Sequence, residues 1–280
     1  GARSRALGRV AALRGDAALV EIGGRTQWRF GSDCSACATV ADDGSVALCR
    51  GGDDLRRCGA YEPTVDCWRR AVLVRGVEVV ALEDVADDPA STDGPKTLWP
   101  AAVAAARALE ALGAALADAP FLELGAGSGL PSVAAAVLGA RPVVATEQPN
   151  AVAFLATNVL ANRAVAAADR VAVEALDWFG ACPASLAPRV VVASDCTYNV
   201  ALHAALLGTL AALLGRAAGA FALVVSDEAS TPSAAATLRA FVDAARATYA
   251  LDVAELPADG AWRARSPDTV RAFRLSARAS

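Results

Sequence analysis

Residues 190–199 read VVVASDCTYN, an apolar run that ends in five side chains able to do chemistry. Asp195 brings a carboxylate, Cys196 a thiol, Thr197 a hydroxyl, Tyr198 a phenol and Asn199 an amide. A carboxylate with a phenol three residues on can capture a protic or cationic group, orient it and accept its proton. A thiol nucleophile would need a base beside it. The one histidine, His203, falls in the leucine-rich stretch that follows and reads as a surface or packed helix residue. The chemistry therefore points away from Cys196 and towards Asp195, with the hydroxyl, phenol and amide beside it left open at this point. The plain alternative for Asp195 is a helix N-cap or a strand-end hydrogen bond.

A second group of residues suits a ligand instead of a reaction. FLELGAGSGLPS places Glu123, Gly125, Gly127 and Gly129 between an apolar run and a helix-like stretch. Glycines there let the chain turn sharply and let a ligand lie against main-chain N–H groups at a helix start. The spacing E-x-G-x-G-x-G differs from the G-x-G-x-x-G of dinucleotide binders, and no G-K-[S/T] ending supplies a lysine for phosphates. Glu147 closes the next apolar run, VVATE, where a carboxylate can accept both hydroxyls of a ribose. Asp177-Trp178 closes the one after, an acid and a flat ring suited to the amino group and face of an adenine. Each has a plain packing or strand-end explanation, but three successive ends that each fit part of an adenosine are worth more together than singly.

The elements that must carry these residues are legible from periodicity. Short β-rich runs at 121–127, 142–147, 170–178, 189–195 and 220–228 alternate with helical stretches, except for a Pro- and Ala-containing link after Trp178. Such alternation predicts βαβ units and a mostly parallel sheet, with ligands beyond the C-terminal strand ends. The last two runs, ALDVAELP and TVRAFRLSAR, have no helix between them and are expected to pair as an antiparallel hairpin. Residues 97–112 read as a strong helix and 70–85 as a hairpin turning at Arg75-Gly76. Residues 1–69 show short β-like runs divided by Gly and Asp and are expected to form a small β-rich extension of unknown role. The domain itself is expected over 70–280.

Composition excludes several classes. The 280-residue chain is 55% hydrophobic, enough for a large core, and its formal charge of −4 gives no basic footprint for nucleic acid. Lys96 is the only lysine, so arginine carries nearly all the positive charge. Residues 200–225 approach membrane-spanning length, but GRAAG divides them into a helix and a strand. The arginine-rich opening resembles a transit-peptide remnant but lacks the serine content and clear amphipathicity. Seven cysteines, an odd number without a secretory signal, point to reduced thiols in the cytosol or nucleus. Cys34, Cys37, Cys49 and Cys58 could supply four zinc thiolates, yet a second C-x-x-C is missing and small buried thiols are the expected reading. No metal is expected, and a monomer is the default because no heptad or exposed apolar repeat is evident.

The segments TLWPAA, LELGAGSGLPS, ATEQPNAVAFLATNVLAN, ALDW and ASDCTYN, in this order and spacing, resemble the class I, seven-strand S-adenosylmethionine-dependent methyltransferases. Within that class they resemble the methyltransferase-like protein-lysine methyltransferases, methyltransferase family 16. The resemblance covers about residues 70–278 and implies a Rossmann-like seven-strand α/β sandwich, S-adenosylmethionine as cofactor and a protein acceptor. It implies that Trp99 packs near the methionine end of the cofactor, with Glu123, Gly125, Gly127 and Gly129 in the loop that holds it. It further implies Glu147 at the ribose, Asp177 and Trp178 beside the adenine, and Ser194 beneath the cofactor. Asp195 and Tyr198 match the family's acidic-x-x-aromatic motif at the substrate lysine. Cys196-Thr197 replaces the apolar pair more usual inside that motif. The expected function is transfer of a methyl group to a lysine of a non-histone protein, in the cytoplasm or nucleus. Alternatives are a protein-histidine or small-molecule acceptor, or a non-catalytic binding protein on the same fold.

Overall fold

The computed structural model describes residues 71–83, 97–162, 165, 167–257, 262 and 267–278 in full, and elsewhere the backbone of strands alone. Those backbone strands are Arg9–Arg14 (β1), Ala17–Ile22 (β2) and Arg25–Phe30 (β3), which form one antiparallel sheet, and Ala36–Val40 (β4) with Val46–Arg50 (β5), which form a second. The cysteine set considered for zinc lies outside the fully described residues. Among the described residues no cluster of three or more His, Cys, Asp or Glu is placed to hold a metal ion, and no helix is long and apolar enough to cross a membrane.

Cys67–Val74 (β6) and Val77–Asp84 (β7) form the expected hairpin, starting three residues ahead of the boundary expected at 70. Arg75 and Gly76 turn with φ of 44° and 77°, the left-handed pair that a two-residue hairpin loop needs. Pro100–Leu112 (α1) follows. Proline at its first position bars the preceding residue from helical geometry, so Trp99 stays extended, at φ −74° and ψ 147°, just outside the helix.

The core is one seven-stranded sheet. Its strands are Phe121–Leu124 (β8), Val143–Glu147 (β9), Val171–Ala175 (β10), Val190–Ser194 (β11), Phe221–Asp227 (β12), Leu251–Glu255 (β13) and Val270–Ala277 (β14). They lie in the order β10-β9-β8-β11-β12-β14-β13, parallel from β10 to β12 and antiparallel at β14. The last two strands do pair antiparallel, but β14 inserts between β12 and β13 instead of extending the edge. Alternate residues of each central strand serve opposite faces, the period of two that a sheet buried on both sides requires. Val190 and Val192 of β11, with Leu223 and Val225 of β12, join the core under α1, Leu130–Val137 (α2) and Val152–Ala161 (α3). Val191, Ala193, Ala222 and Val224 join the other core, under Val200–Leu214 (α4) and Ala234–Ala247 (α5).

Two asparagines one helical turn apart fasten the hairpin to this sandwich. Asn162 accepts from the Val80 N–H at 2.7 Å and donates to the Val80 carbonyl at 2.7 Å. Asn158 accepts from the Leu82 N–H at 2.7 Å, two residues further along β7. The side chains of α3 thus stand in for a neighbouring strand and satisfy backbone groups that would otherwise be buried without partners. On the other side, Arg107 donates to the Leu73 carbonyl and Glu110 accepts from the Arg75 N–H. Glu83, near the end of β7, accepts from the Leu98 N–H at 3.0 Å and so fixes the backbone immediately before Trp99.

Candidate active site

A cavity of about 730 Å³ lies at the C-terminal ends of β8, β9, β11 and β12, the edge where open α/β sheets bind ligands. Its lining brings together six of the nine residues expected to hold a cofactor, Trp99, Gly125, Gly127, Glu147, Trp178 and Ser194, and both residues expected at the acceptor, Asp195 and Tyr198.

The glycine loop forms one wall because its backbone must turn. Gly125 has φ +62°, and a Cβ there would stand 2.9 Å from Cys196 Sγ and 3.1 Å from the Trp178 ring. Glycine is therefore required both by conformation and by the two side chains that close over it. Glu147 Oε2 accepts from the Gly127 N–H at 2.8 Å, and its Oε1 accepts from the Gln148 N–H at 2.8 Å. A carboxylate has about four acceptor sites, so each oxygen keeps one for a ligand. Burial pushes the Glu147 carboxyl above the ordinary range, while these two N–H groups pull it back.

Three of the expected cofactor residues do not reach the cavity. Glu123 is fully buried, and its Oε2 accepts from the Ser132 N–H at 2.9 Å and from the Ser132 hydroxyl at 2.5 Å. It serves the start of α2, where unpaired N–H groups and the helix dipole favour an acid. Burial raises its carboxyl to about 8. Gly129 caps α2 at φ +69°, and a Cβ there would meet Leu155 at 2.7 Å, so it serves helix packing. Asp177 is exposed and accepts from the Phe179 N–H at 3.0 Å, closing its own turn. Only its neighbour Trp178 faces inward. All three lie in the loops or strand ends that carry the site, but the direction of each side chain is decided by what packs behind it.

Asp195 leaves β11 in the left-handed conformation, φ +55°, which aspartate tolerates better than most residues. Its N–H donates to the Val225 carbonyl at 2.7 Å, and its Oδ1 accepts from the Asp227 N–H at 3.2 Å. With 9% of its surface exposed, the carboxyl is raised by burial to about 7, the Asp227 charge adding to the rise and its N–H opposing it. Cys196 is buried under the glycine loop, with Sγ 3.4 Å from the carbonyls of Leu124 and Ser194. Burial first, then Glu147, Asp195 and Glu123, drive its thiol well above the ordinary range, so no thiolate is at hand. His203 is packed, not exposed: its ring meets Phe241 edge-on at 5.3 Å, and Nε2 lies 2.9 Å from the Thr197 carbonyl. Asn199 caps α4, its Oδ1 accepting from the Ala201 N–H at 3.0 Å.

The cavity also has a wall the motifs did not announce. Ser230, Thr231 and Ser233 of the β12–α5 turn and Thr237 of α5 line it. The available signal was position, since this hydroxyl-rich run follows Asp227 at the same strand edge as Asp195. Among the described residues the lining carries two acids, Glu147 and Asp195, and neither lysine nor arginine.

A model of the lysine methyltransferase family matches residues 84–232, more than half of the chain. The chain belongs to this family. It is 41% identical over 81 residues to protein N-lysine methyltransferase METTL21A of Xenopus tropicalis, covering 29% of this chain and 37% of that protein. It is 37% identical over 134 residues to protein N-terminal and lysine N-methyltransferase EFM7 of Eremothecium gossypii, covering 43% of this chain and 51% of that protein. The chain thus spans about half or less of the length of these relatives. The CcbJ methyltransferase of Streptomyces caelestis superposes at a TM-score of 0.49 and 17% identity, over 70% of this chain and 96% of that one.

The family's cofactor is S-adenosylmethionine, and the cavity fits it. Cationic sulfonium and ammonium groups suit the two acids of the described lining, whereas a dinucleotide's phosphates would find no lysine or arginine among the described residues. The remaining acceptor sites of Glu147 suit ribose hydroxyls, and Trp178 and the Gly125 backbone offer flat surfaces. When bound, S-adenosylmethionine supplies an electrophilic methyl group.

Proposed function

We propose that the protein transfers a methyl group to the side-chain amine of a lysine in a non-histone protein, acting as a monomer in the cytoplasm or nucleus. The observation that carries this reading is one cavity that joins the glycine loop to Asp195 and Tyr198, with only acids for charge among its described residues. A lysine amine titrates near 10.4 when free and must be neutral to act as a nucleophile. Asp195 attracts the incoming ammonium, and its raised affinity for protons makes it a far better acceptor than an ordinary aspartate. The gap to be crossed narrows from about 6.5 to about 3.4 pH units, and desolvation of the amine in the cavity narrows it further. Tyr198 walls the acceptor's path and offers its hydroxyl as a hydrogen-bond partner. No covalent enzyme intermediate is required, and holding the amine in line supplies most of the acceleration. The domain at 70–280 carries this activity.

The test incubates the purified chain and its Asp195→Ala variant with methyl-labelled S-adenosylmethionine and a cell extract, then hydrolyses the labelled bands to amino acids. Methyl-lysine that disappears with Asp195→Ala supports the reading. Methyl-histidine replaces the acceptor while keeping the cofactor. Cofactor binding without any label leaves a binding protein or a small-molecule acceptor.

A further inference from the structure

Inside the Asp195-x-x-Tyr198 motif stand two residues that are not the usual apolar pair, and the structure gives each a task. Cys196 packs under Gly125. Thr197 is 2% exposed, and its hydroxyl lies 2.7 Å from that of Ser226, itself 2% exposed, at the end of β12. The Thr197 carbonyl is 2.9 Å from His203 Nε2. A carbonyl only accepts, so Nε2 carries the proton and donates. Phe241, edge-on to the His203 ring, holds that ring in plane for the bond.

Residue 197 is thus tied through its side chain to β12 and through its backbone to α4. Asp195, two residues earlier, is tied to β12 through the Val225 carbonyl and the Asp227 N–H. Between these ties the chain carries a left-handed Asp195, a conformation that persists only where the surroundings impose it. We propose that Thr197, braced by Ser226 and His203, is the positioning residue that fixes Asp195 and Tyr198 relative to each other for attack by the acceptor amine. This rests on the lysine reading above for what the two residues act upon, but not for the brace itself. Thr197 touches neither cofactor nor acceptor and acts through its neighbours on the loop. A misplacement of about 1 Å at reacting groups costs up to a hundredfold in rate, so a relaxed loop is felt in turnover before it is felt in binding.

The experiment compares Thr197→Val, Thr197→Ser, Ser226→Ala and the double variant Thr197→Val/Ser226→Ala. It measures kcat and KM on a lysine acceptor, donor affinity by calorimetry, thermal midpoint, and amide hydrogen exchange over 195–199. Thr197→Val is expected to lower kcat at least tenfold, with donor affinity within about twofold, and to speed exchange of these amides at least tenfold. Thr197→Ser restores both. The double variant leaves no orphan hydroxyl, so its thermal midpoint recovers while kcat stays low, which a purely structural role would not produce. Wild-type kcat in the double variant, or unchanged exchange in Thr197→Val, overturns the brace. If the unaltered protein methylates no lysine, the acceptor reading fails separately. Exchange then decides the brace alone: protection lost in Thr197→Val supports it, and protection kept overturns it.

Discussion

Replacing Asp195 with asparagine should make the protein more stable and almost inactive, and the size of the first effect should depend on pH. Burial raises the Asp195 carboxyl from the ordinary 3.8 to about 7. Between those values the unfolded chain is ionised while the folded chain keeps its proton, so stability falls as pH rises from 3.8 and levels off above about 7. Each pH unit between the two titrations is worth about 1.4 kcal/mol, so the folded state gives up about 4 kcal/mol at pH 8 and about 1.5 at pH 5. Asparagine keeps the shape, accepts from the Asp227 N–H as aspartate does, and tolerates the left-handed backbone at φ +55°. Its neutral amide removes the cost of burying a charge. Denaturant titrations should therefore show Asp195→Asn more stable by about 2–4 kcal/mol at pH 8 but only by about 1 at pH 5. Methyl transfer should fall by about 10²–10⁴-fold, the usual worth of a positioned acid or base. Equal stabilisation at both pH values would show that the carboxylate is not desolvated. Turnover within about threefold of the parent would remove Asp195 from the reaction.

Gly125→Ala sets a Cβ 2.9 Å from Cys196 Sγ and forces an L side chain to φ +62°; donor affinity measured by calorimetry should drop at least tenfold, with a loss of about 1–3 kcal/mol in stability. Asn162→Ala leaves the Val80 N–H and carbonyl without their side-chain partner; urea unfolding should show a loss of about 2–4 kcal/mol, and retention of full stability would mean that water or a shifted strand replaces the asparagine. Cys196, buried and with its thiol raised, should resist alkylation by iodoacetamide in the native chain at pH 8 and react once the chain is unfolded; mass spectrometry of the labelled peptide tests this.

Much of the fold was set by local pattern. Alternation of apolar runs with helical stretches is a property of the chain itself, because a parallel strand needs a crossover before the next can pair. It therefore gave the β8–β12 succession, but it set the start of the helix before β8 at residue 97, whereas Pro100 keeps Trp99 extended and α1 begins only at Pro100. The hairpin turning at Arg75-Gly76 and the antiparallel pairing of the closing strands were legible because no helical stretch separates their strands. The motif residues Gly125, Glu147, Trp178, Asp195 and Tyr198 were legible as types at strand ends, where a βα sheet exposes whatever it carries.

What local pattern does not contain is which way a side chain points once something packs behind it. Glu123 turns to the α2 start because Ser132 offers it two donors there, Asp177 turns to its own backbone, and Gly129 answers to Leu155. Insertion of β14 between β12 and β13 is likewise a choice among edges that the hairpin alone does not make. The hydroxyl wall at 230–237 meets Trp99 and the glycine loop only across the cavity, and the Thr197–Ser226 contact of the brace spans 29 positions. Charge type and element order are written residue by residue. Burial, and with it the raised carboxyl of Asp195, exists only when distant segments exclude water together.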